Sequence, residues 1–355
     1  MNLIRSISST LKTWVFKKKL LKFSERYRWE TQACFYCPEM CRFSCPVAET
    51  LRHDGTTPRG KMSLLHMAER GFSAEQVAGS AEQRLWFLEQ CTGCGRCTEF
   101  CLYENDVATH LRKERQAHFE SVGAVTSDGD MGPLLSQLRG LKGKVLFSEP
   151  SRKKWWEARP ALLSELGVDS VCDAVLPHKR WSWGKVTDAQ KREIGAALSG
   201  CSQIWVESPE AAWFLAKAIK HEEKALKSDV RVVWQKFFAD YVAREPSADE
   251  TFHESYHLSR LFPQLDYSIP MYERGFMPFH HGWNVIDCGG EGYYAEAHPE
   301  NARAMSERFL TDLGKDGRKI SKIICQSLSC IDHLREVSKA PVTYWLDEMV
   351  ANETH

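Results

Sequence analysis

The sequence predicts an α + α/β protein, with a helical N-terminal region followed by two related α/β units of mainly parallel strands. Three observations carry this. Two dense cysteine runs, at 34–46 and 91–101, are joined by segments of helical rather than strand period. From residue 143 onward, short β-rich runs alternate with amphipathic helices, which is how a parallel sheet is written in sequence. The later half also repeats itself. SQIWVESPEAAWFLA (202–216) lies over SKIICQSLSCIDHL (321–334), with Ser202, Ile204 and Ser208 matching Ser321, Ile323 and Ser327.

A chain of 355 residues, 43% apolar and 26% charged, can hold two or three domains with cores of their own. No run approaches the roughly 18–20 apolar residues of a membrane span. The net charge of zero hides an asymmetry: Arg5, Lys12, Lys17, Lys18, Lys19, Lys22, Arg26 and Arg28 face Glu25 alone. Leu3, Ile4, Ile7, Leu11, Trp14 and Val15 recur at helical spacing, so residues 1–27 are expected as a basic amphipathic helix. It would dock on its own protein or a partner subunit, or rest on an anionic membrane surface. With no cleavable apolar leader in this segment, the expected location is the cytoplasm, extending to peripheral contact with the cytoplasmic membrane face. Thirteen cysteines suit a reducing compartment if most of them hold metal. Nucleic acid is not expected as a partner.

The first cysteine run is Cys34, Cys37, Cys41 and Cys45, closed by Pro46; the second is Cys91, Cys94, Cys97 and Cys101. The second has the spacing of a bacterial [4Fe–4S] ligand run. Three closely spaced thiolates reach three corners of a cubane, and in two-cluster ferredoxins the last cysteine of each run crosses to the other cluster. Cys34, Cys37, Cys41 and Cys101 are therefore assigned to one cube, and Cys91, Cys94, Cys97 and Cys45 to a second. Zinc also takes four thiolates, but usually from two separated pairs. Pro46 turns the chain away as the crossing ligand leaves its run. The glycines of CTGCGRC suit a loop whose amides approach sulfur closely. Between Cys37 and Cys41 lie three residues where the usual run has two, and the extra one is expected as a bulge at Pro38, which leaves the completeness of this cube open.

Between the runs, Thr57 is a candidate N-cap, Pro58 a first helical residue and Gly71 a stop. SAEQVAGSAEQRLWFLEQ then runs a second helical stretch into Cys91. Helices between the two runs, with the PRGK segment at 58–61, resemble the α-helical ferredoxin domain of the iron–sulfur subunits of succinate dehydrogenase, glycolate oxidase and heterodisulfide reductase. The resemblance spans about 28–120.

A polar, Gly-rich stretch at 121–142 is expected as a linker. Units at 143–245 and 250–355 follow, with strands read at KVLFSE, SQIWVES, VRVVW, NVIDC, KIICQ and APVTYW. These units resemble the paired cysteine-rich CCG domains of the iron–sulfur subunits of heterodisulfide reductase and glycolate oxidase. FHESYHLSR (252–260), DCGGEGYY (287–294) and SLSCIDHL (327–334) follow that family's three cysteine segments. Several thiols are replaced: Tyr256, Asp287 and Ser327 stand at family ligand positions, and the first unit reads Ser208-Pro209-Glu210-Ala211 where the family has Cys-Pro-x-Cys. Both CCG-like units are thus expected to be degenerate, keeping the fold and losing the family's own centre. Should the remaining donors gather, His253, His257, Cys288 and Cys330, with Cys325 nearby, would form a zinc or mononuclear site. Cys172 and Cys201 read as core, and His280-His281 as surface. Gly290 to Ala295 match a dinucleotide fingerprint, a weak signal in isolation.

No catalytic residue is assigned. The expected role is electron transfer through two [4Fe–4S] clusters, as part of an oxidoreductase complex rather than as a self-sufficient enzyme. By resemblance, the partners would be a flavoprotein dehydrogenase subunit on one side and a quinone-linked or membrane subunit on the other. Two alternatives stay open: a heterodisulfide-reductase-like or hydroxyacid-oxidase catalytic subunit with an altered C-terminal metal site, and a structural subunit with passive clusters.

Overall fold

The computed structural model describes residues 26–125, 128–243, 249–261, 286–314 and 319–353. The N-terminal amphipathic segment and His280-His281 lie outside the described residues, apart from Arg26 and Tyr27. Two compact units emerge: residues 1–90 with 97–107, and residues 91–96 with 108–355.

The described part of the first unit is helical. Helix Trp29–Tyr36 packs on helix Pro58–Glu69, and Thr31 Oγ1 donates to Glu69 Oε2 at 2.7 Å. Ala33, Val47, Met62, Leu65 and Phe87 are buried in this unit. The PRGK segment has a physical explanation. Thr57 caps the helix, its Oγ1 accepting from Gly60 N at 2.9 Å, and Pro58 takes the first turn, where no donor is missed. Gly60 is required because a Cβ there would stand 2.2 Å from the Asp54 carbonyl oxygen. Arg59 Nη2 reaches the Phe35 carbonyl at 3.2 Å, and Lys61, 1% exposed, donates its ammonium to the Gln90 carbonyl. One side of the motif thus holds the end of the helix before Cys37, and the other holds the residue before Cys91.

The second unit is α/β, and the strand pairings among its described residues are parallel. Strands β1 (Gly143–Phe147), β2 (Ser170–Cys172), β3 (Cys201–Val206) and β4 (Asp229–Val232) form a sheet in the order β2-β1-β3-β4. Strands β5 (Glu250–His253), β6 (Lys322–Cys325) and β7 (Val342–Tyr344) form a second in the order β5-β6-β7. The internal repeat is visible in the path of the chain. β3, helix Pro209–Trp213, β4 and helix Val233–Ala243 are echoed by β6, helix Leu328–Arg335, β7 and helix Trp345–Glu353. Ser208 and Ser327 stand at equivalent N-caps. Helix Asp128–Arg139 occupies part of the stretch expected as a linker. NVIDC has the composition of a strand, but its described residues, 286–288, carry none.

One apolar core runs through both sheets. Trp234 lies 5.7 Å from Phe252 and 4.6 Å from Trp345 between ring centroids. Arg152 adds a buried polar tie: its Nε meets Glu207 Oε1 at 2.5 Å, and its two terminal nitrogens grip Asp347 at 3.1 Å each. Such planar, two-point recognition suits arginine and not lysine.

Candidate metal centre

Local backbone chemistry sets the first cysteine run. Helix Trp29–Tyr36 ends at Cys37, whose N–H bonds to the Cys34 carbonyl at 3.2 Å. The extra residue is taken up at Glu39 and not at Pro38: Glu39 adopts a left-handed conformation (φ 67°, ψ 38°), and the chain then tightens into a 3₁₀ turn at Met40–Ser44. That conformation is unfavourable for a residue with a Cβ. Arg59 Nη1 lies 3.5 Å from Glu39 Oε2.

Cys34, Cys37, Cys41 and Cys101 come together around a pocket of about 100 Å³, with Phe100, Leu102 and Val107 among its apolar walls. Cys97 lines the same pocket. Burial, then the nearby Cys101 and Cys41 thiols, push the Cys34 thiol up to about 12. Burial with Cys101, Cys37 and Cys45 does the same to Cys41, also to about 12. Cys34 and Cys41 resist ionising in this gathering of thiols, and such a set is what a polycationic cage fits, because bound iron would cancel the cost that holds their protons on. The set therefore fits a cubane. Asn105, 5% exposed, donates its amide to Cys34 Sγ at 3.0 Å and to the Glu30 carbonyl at 2.9 Å. Motif spacing gave no sign of this residue, which lies beyond both runs. An amide four residues after the last cysteine is the only available clue.

In the second run, Gly93 (φ 84°) and Gly95 (φ 67°) adopt the conformation that L side chains rarely take, so both glycines are conformational requirements of the loop. Cys91 and Cys94 belong to the loop 91–96 of the second unit. Cys45, buried, is the N-cap of helix Pro46–Leu51, with Pro46 at the first helical position.

Residues 30–105 match the family model of the 4Fe-4S dicluster domain. The match marks an iron–sulfur protein. Neither the curated proteins nor the solved structures yield a match to the chain. No helix among the described residues is long and apolar enough to cross a membrane.

The second unit of this iron–sulfur protein holds another cluster of chemically active side chains. His253, Cys288 and Cys330 are buried, with one ligand atom from each lying within 4.8 Å of the others. The fourth residue expected in that group, His257, turns elsewhere and places its Nδ1 3.0 Å from Glu291 Oε2. The Cys330 thiol and the His253 ring both hydrogen-bond Cys288 and depress its thiol well below the usual range, while burial raises Cys330. Burial raises Glu291 to about 8 and Asp287 to about 7, and lowers His257 to about 4. Burial thus favours the neutral form of both partners of this hydrogen-bonded pair. Tyr256 donates to the Thr92 carbonyl at 3.2 Å and is buried against Cys94. Asp287 receives a hydrogen bond from Thr92.

The glycines at 290–292 answer to packing. A Cβ on Gly290 would stand 2.9 Å from His333 Cβ, so packing accounts for this glycine, and the described residues just before it, 286–289, carry no strand. Cys172 and Cys201 are buried in the core.

Proposed function

We propose that the chain is an electron-transfer subunit carrying two [4Fe–4S] clusters, one on Cys34, Cys37, Cys41 and Cys101 and one on Cys91, Cys94, Cys97 and Cys45. The observation that carries this reading is the convergence of Cys101, from the second run, on the three leading thiols of the first. Bound there, such clusters exchange single electrons. The protein's share is to set how easily they do so. The Asn105 amide stabilises negative charge at Cys34, the apolar walls exclude water, and the buried Lys61 ammonium fixes the approach to Cys91.

The partners that suit this role, by likeness to heterodisulfide reductase and glycolate oxidase subunits, are a flavoprotein dehydrogenase and a quinone-linked or membrane-associated acceptor. The degenerate α/β half would serve as a docking platform, and the basic N-terminal segment would give a contact with a membrane or a subunit.

The test is anaerobic purification with iron counting and EPR of the wild type and of Cys101→Ser. About eight irons per chain are expected, with the variant losing the cluster anchored by Cys34 and Cys37. Iron-free or zinc-loaded protein would end the proposal, and loss confined to the cluster anchored by Cys91 would end the crossed assignment.

A further inference from the structure

We propose that Cys288 and Cys330 are a redox-active dithiol that forms an internal disulfide and exchanges its two electrons, one at a time, with the iron–sulfur centres. The exchange rests on the two-cluster reading above, whereas formation of the disulfide does not.

The geometry has three parts. The sulfurs of Cys288 and Cys330 and an imidazole nitrogen of His253 lie within 4.8 Å of one another, on residues no more than 4% exposed. His253 and the Cys330 thiol are hydrogen-bonded to the Cys288 sulfur, the arrangement of an attacking thiolate beside its partner thiol and a proton-holding base. Among the described residues the group stops at three donors, one short of the four that a closed tetrahedral metal site needs.

The second part is the connection to the cluster-binding loop. Asp287, joined by the peptide bond to Cys288, is hydrogen-bonded by Thr92, which stands between Cys91 and Cys94. Tyr256 reaches the Thr92 carbonyl and packs on Cys94. The dithiol is thus tied through hydrogen and covalent bonds to the loop carrying two of the proposed ligands.

The third part is an open cleft of about 1110 Å³ whose lining adjoins the pair in sequence, reaching Gly290, Ser329 and His333. The step balances as follows. Cys288, Cys330 and the His253 hydrogen-bonded to Cys288, carrying two exchangeable protons among them, give one S–S bond, neutral His253, two protons released to water and two electrons. Each of two clusters accepts one electron, so the oxidation of one dithiol matches the capacity of the pair of clusters.

The test uses the full-length chain purified anaerobically. Aliquots are oxidised with ferricyanide or reduced with dithionite, denatured in N-ethylmaleimide and mapped by peptide mass spectrometry, with metals counted in parallel. The expected result is a Cys288–Cys330 linked peptide after ferricyanide and full alkylation of both after dithionite. Cys288→Ser and, separately, Cys330→Ala should each take up two fewer electrons in a reductive titration while keeping their cluster absorbance. Both thiols alkylated after ferricyanide in a chain whose clusters are oxidised would overturn the dithiol. So would one zinc or extra iron per chain that Cys288→Ser removes. An iron-free chain that still forms the link would sink the cluster reading and leave the dithiol standing. Linked peptide with unchanged electron uptake in both variants would refute the exchange.

Discussion

Removing the amide of Asn105 should lower the reduction potential of the proposed Cys34-anchored cluster and leave the proposed second one unmoved. Asn105 Nδ2 is 3.0 Å from Cys34 Sγ, in a site where the residue is 5% exposed, so water does not replace the bond when it is lost. A hydrogen bond to a charged acceptor contributes about 1.5–3 kcal/mol. It exists in both redox states and strengthens as negative charge accumulates on reduction, so about half of that is differential, some 0.7–1.5 kcal/mol. At 59 mV per tenfold change for a one-electron couple, Asn105→Leu should move the potential down by about 30–65 mV. The assay is an EPR-monitored redox titration of the full chain, with Thr31→Val as control. Thr31 bonds to the Arg28 carbonyl and to Glu69 nearby but touches no sulfur. A shift upward, no shift, or an equal shift in the control would refute the argument that this amide tunes the Cys34-anchored cluster.

Three further outcomes follow from packing and charge. Gly60→Ala drives a Cβ to 2.2 Å from the Asp54 carbonyl and should cost about 1–3 kcal/mol, read as a lower unfolding midpoint with earlier iron loss. Arg152→Met leaves Glu207, whose side chain is fully buried, without its cation, and should destabilise by about 3–5 kcal/mol in urea unfolding; Arg152→Lys should recover only part of this. Glu291 is raised in the folded protein to about 8 from 4.5, so the native state keeps a proton that the unfolded chain releases between those values. Its stabilising contribution is complete below about 4.5 and fades as pH rises toward 8, so Glu291→Gln should flatten the fall in urea midpoint between pH 5 and 8. An unchanged slope would show that the carboxyl is ionised in the native state.

How far the molecule was legible in its sequence differs between the two units. The iron–sulfur character could be read before any coordinates, because ligand spacing follows the shape of the inorganic core, and the 4Fe-4S dicluster match supports it. The alternation of strands and helices and the repeat at Ser208 and Ser327 were legible for a similar reason, since both follow from backbone periodicity. Asn105 was not, because a single amide that donates to sulfur leaves no periodic mark. The site of the extra residue was also misjudged. Pro38 looked like the irregular position, but its ring fixes only its own φ, and the reversal falls one residue later, at Glu39. NVIDC looked like a strand because apolar β-branched residues favour strands, whereas its described end serves to place Asp287 and Cys288. The buried Arg152 network escaped notice because its partners are 55 and 195 residues away along the chain.

Tyr256, Asp287 and Ser327, which the resemblance would set at ligand positions, are each held in place by hydrogen bonds of the second unit. A thiol deleted from a buried site leaves either a void or an unpaired polar group, and both are costly. Here Tyr256, Asp287 and Ser327 each make a hydrogen bond through oxygen. Tyr256 spans to the Thr92 carbonyl, Asp287 accepts from Gly289 N at 2.7 Å, and Ser327 donates to Glu210 at 3.4 Å. Two of the three new bonds point at the loop of the second cysteine run or at the glycine that follows Cys288. Tyr256 and Asp287 thereby join residues beside the proposed Cys288–Cys330 dithiol to the Cys91–Arg96 loop. That connection is what the proposed dithiol requires if its electrons are to pass to a cluster held by Cys91 and Cys94.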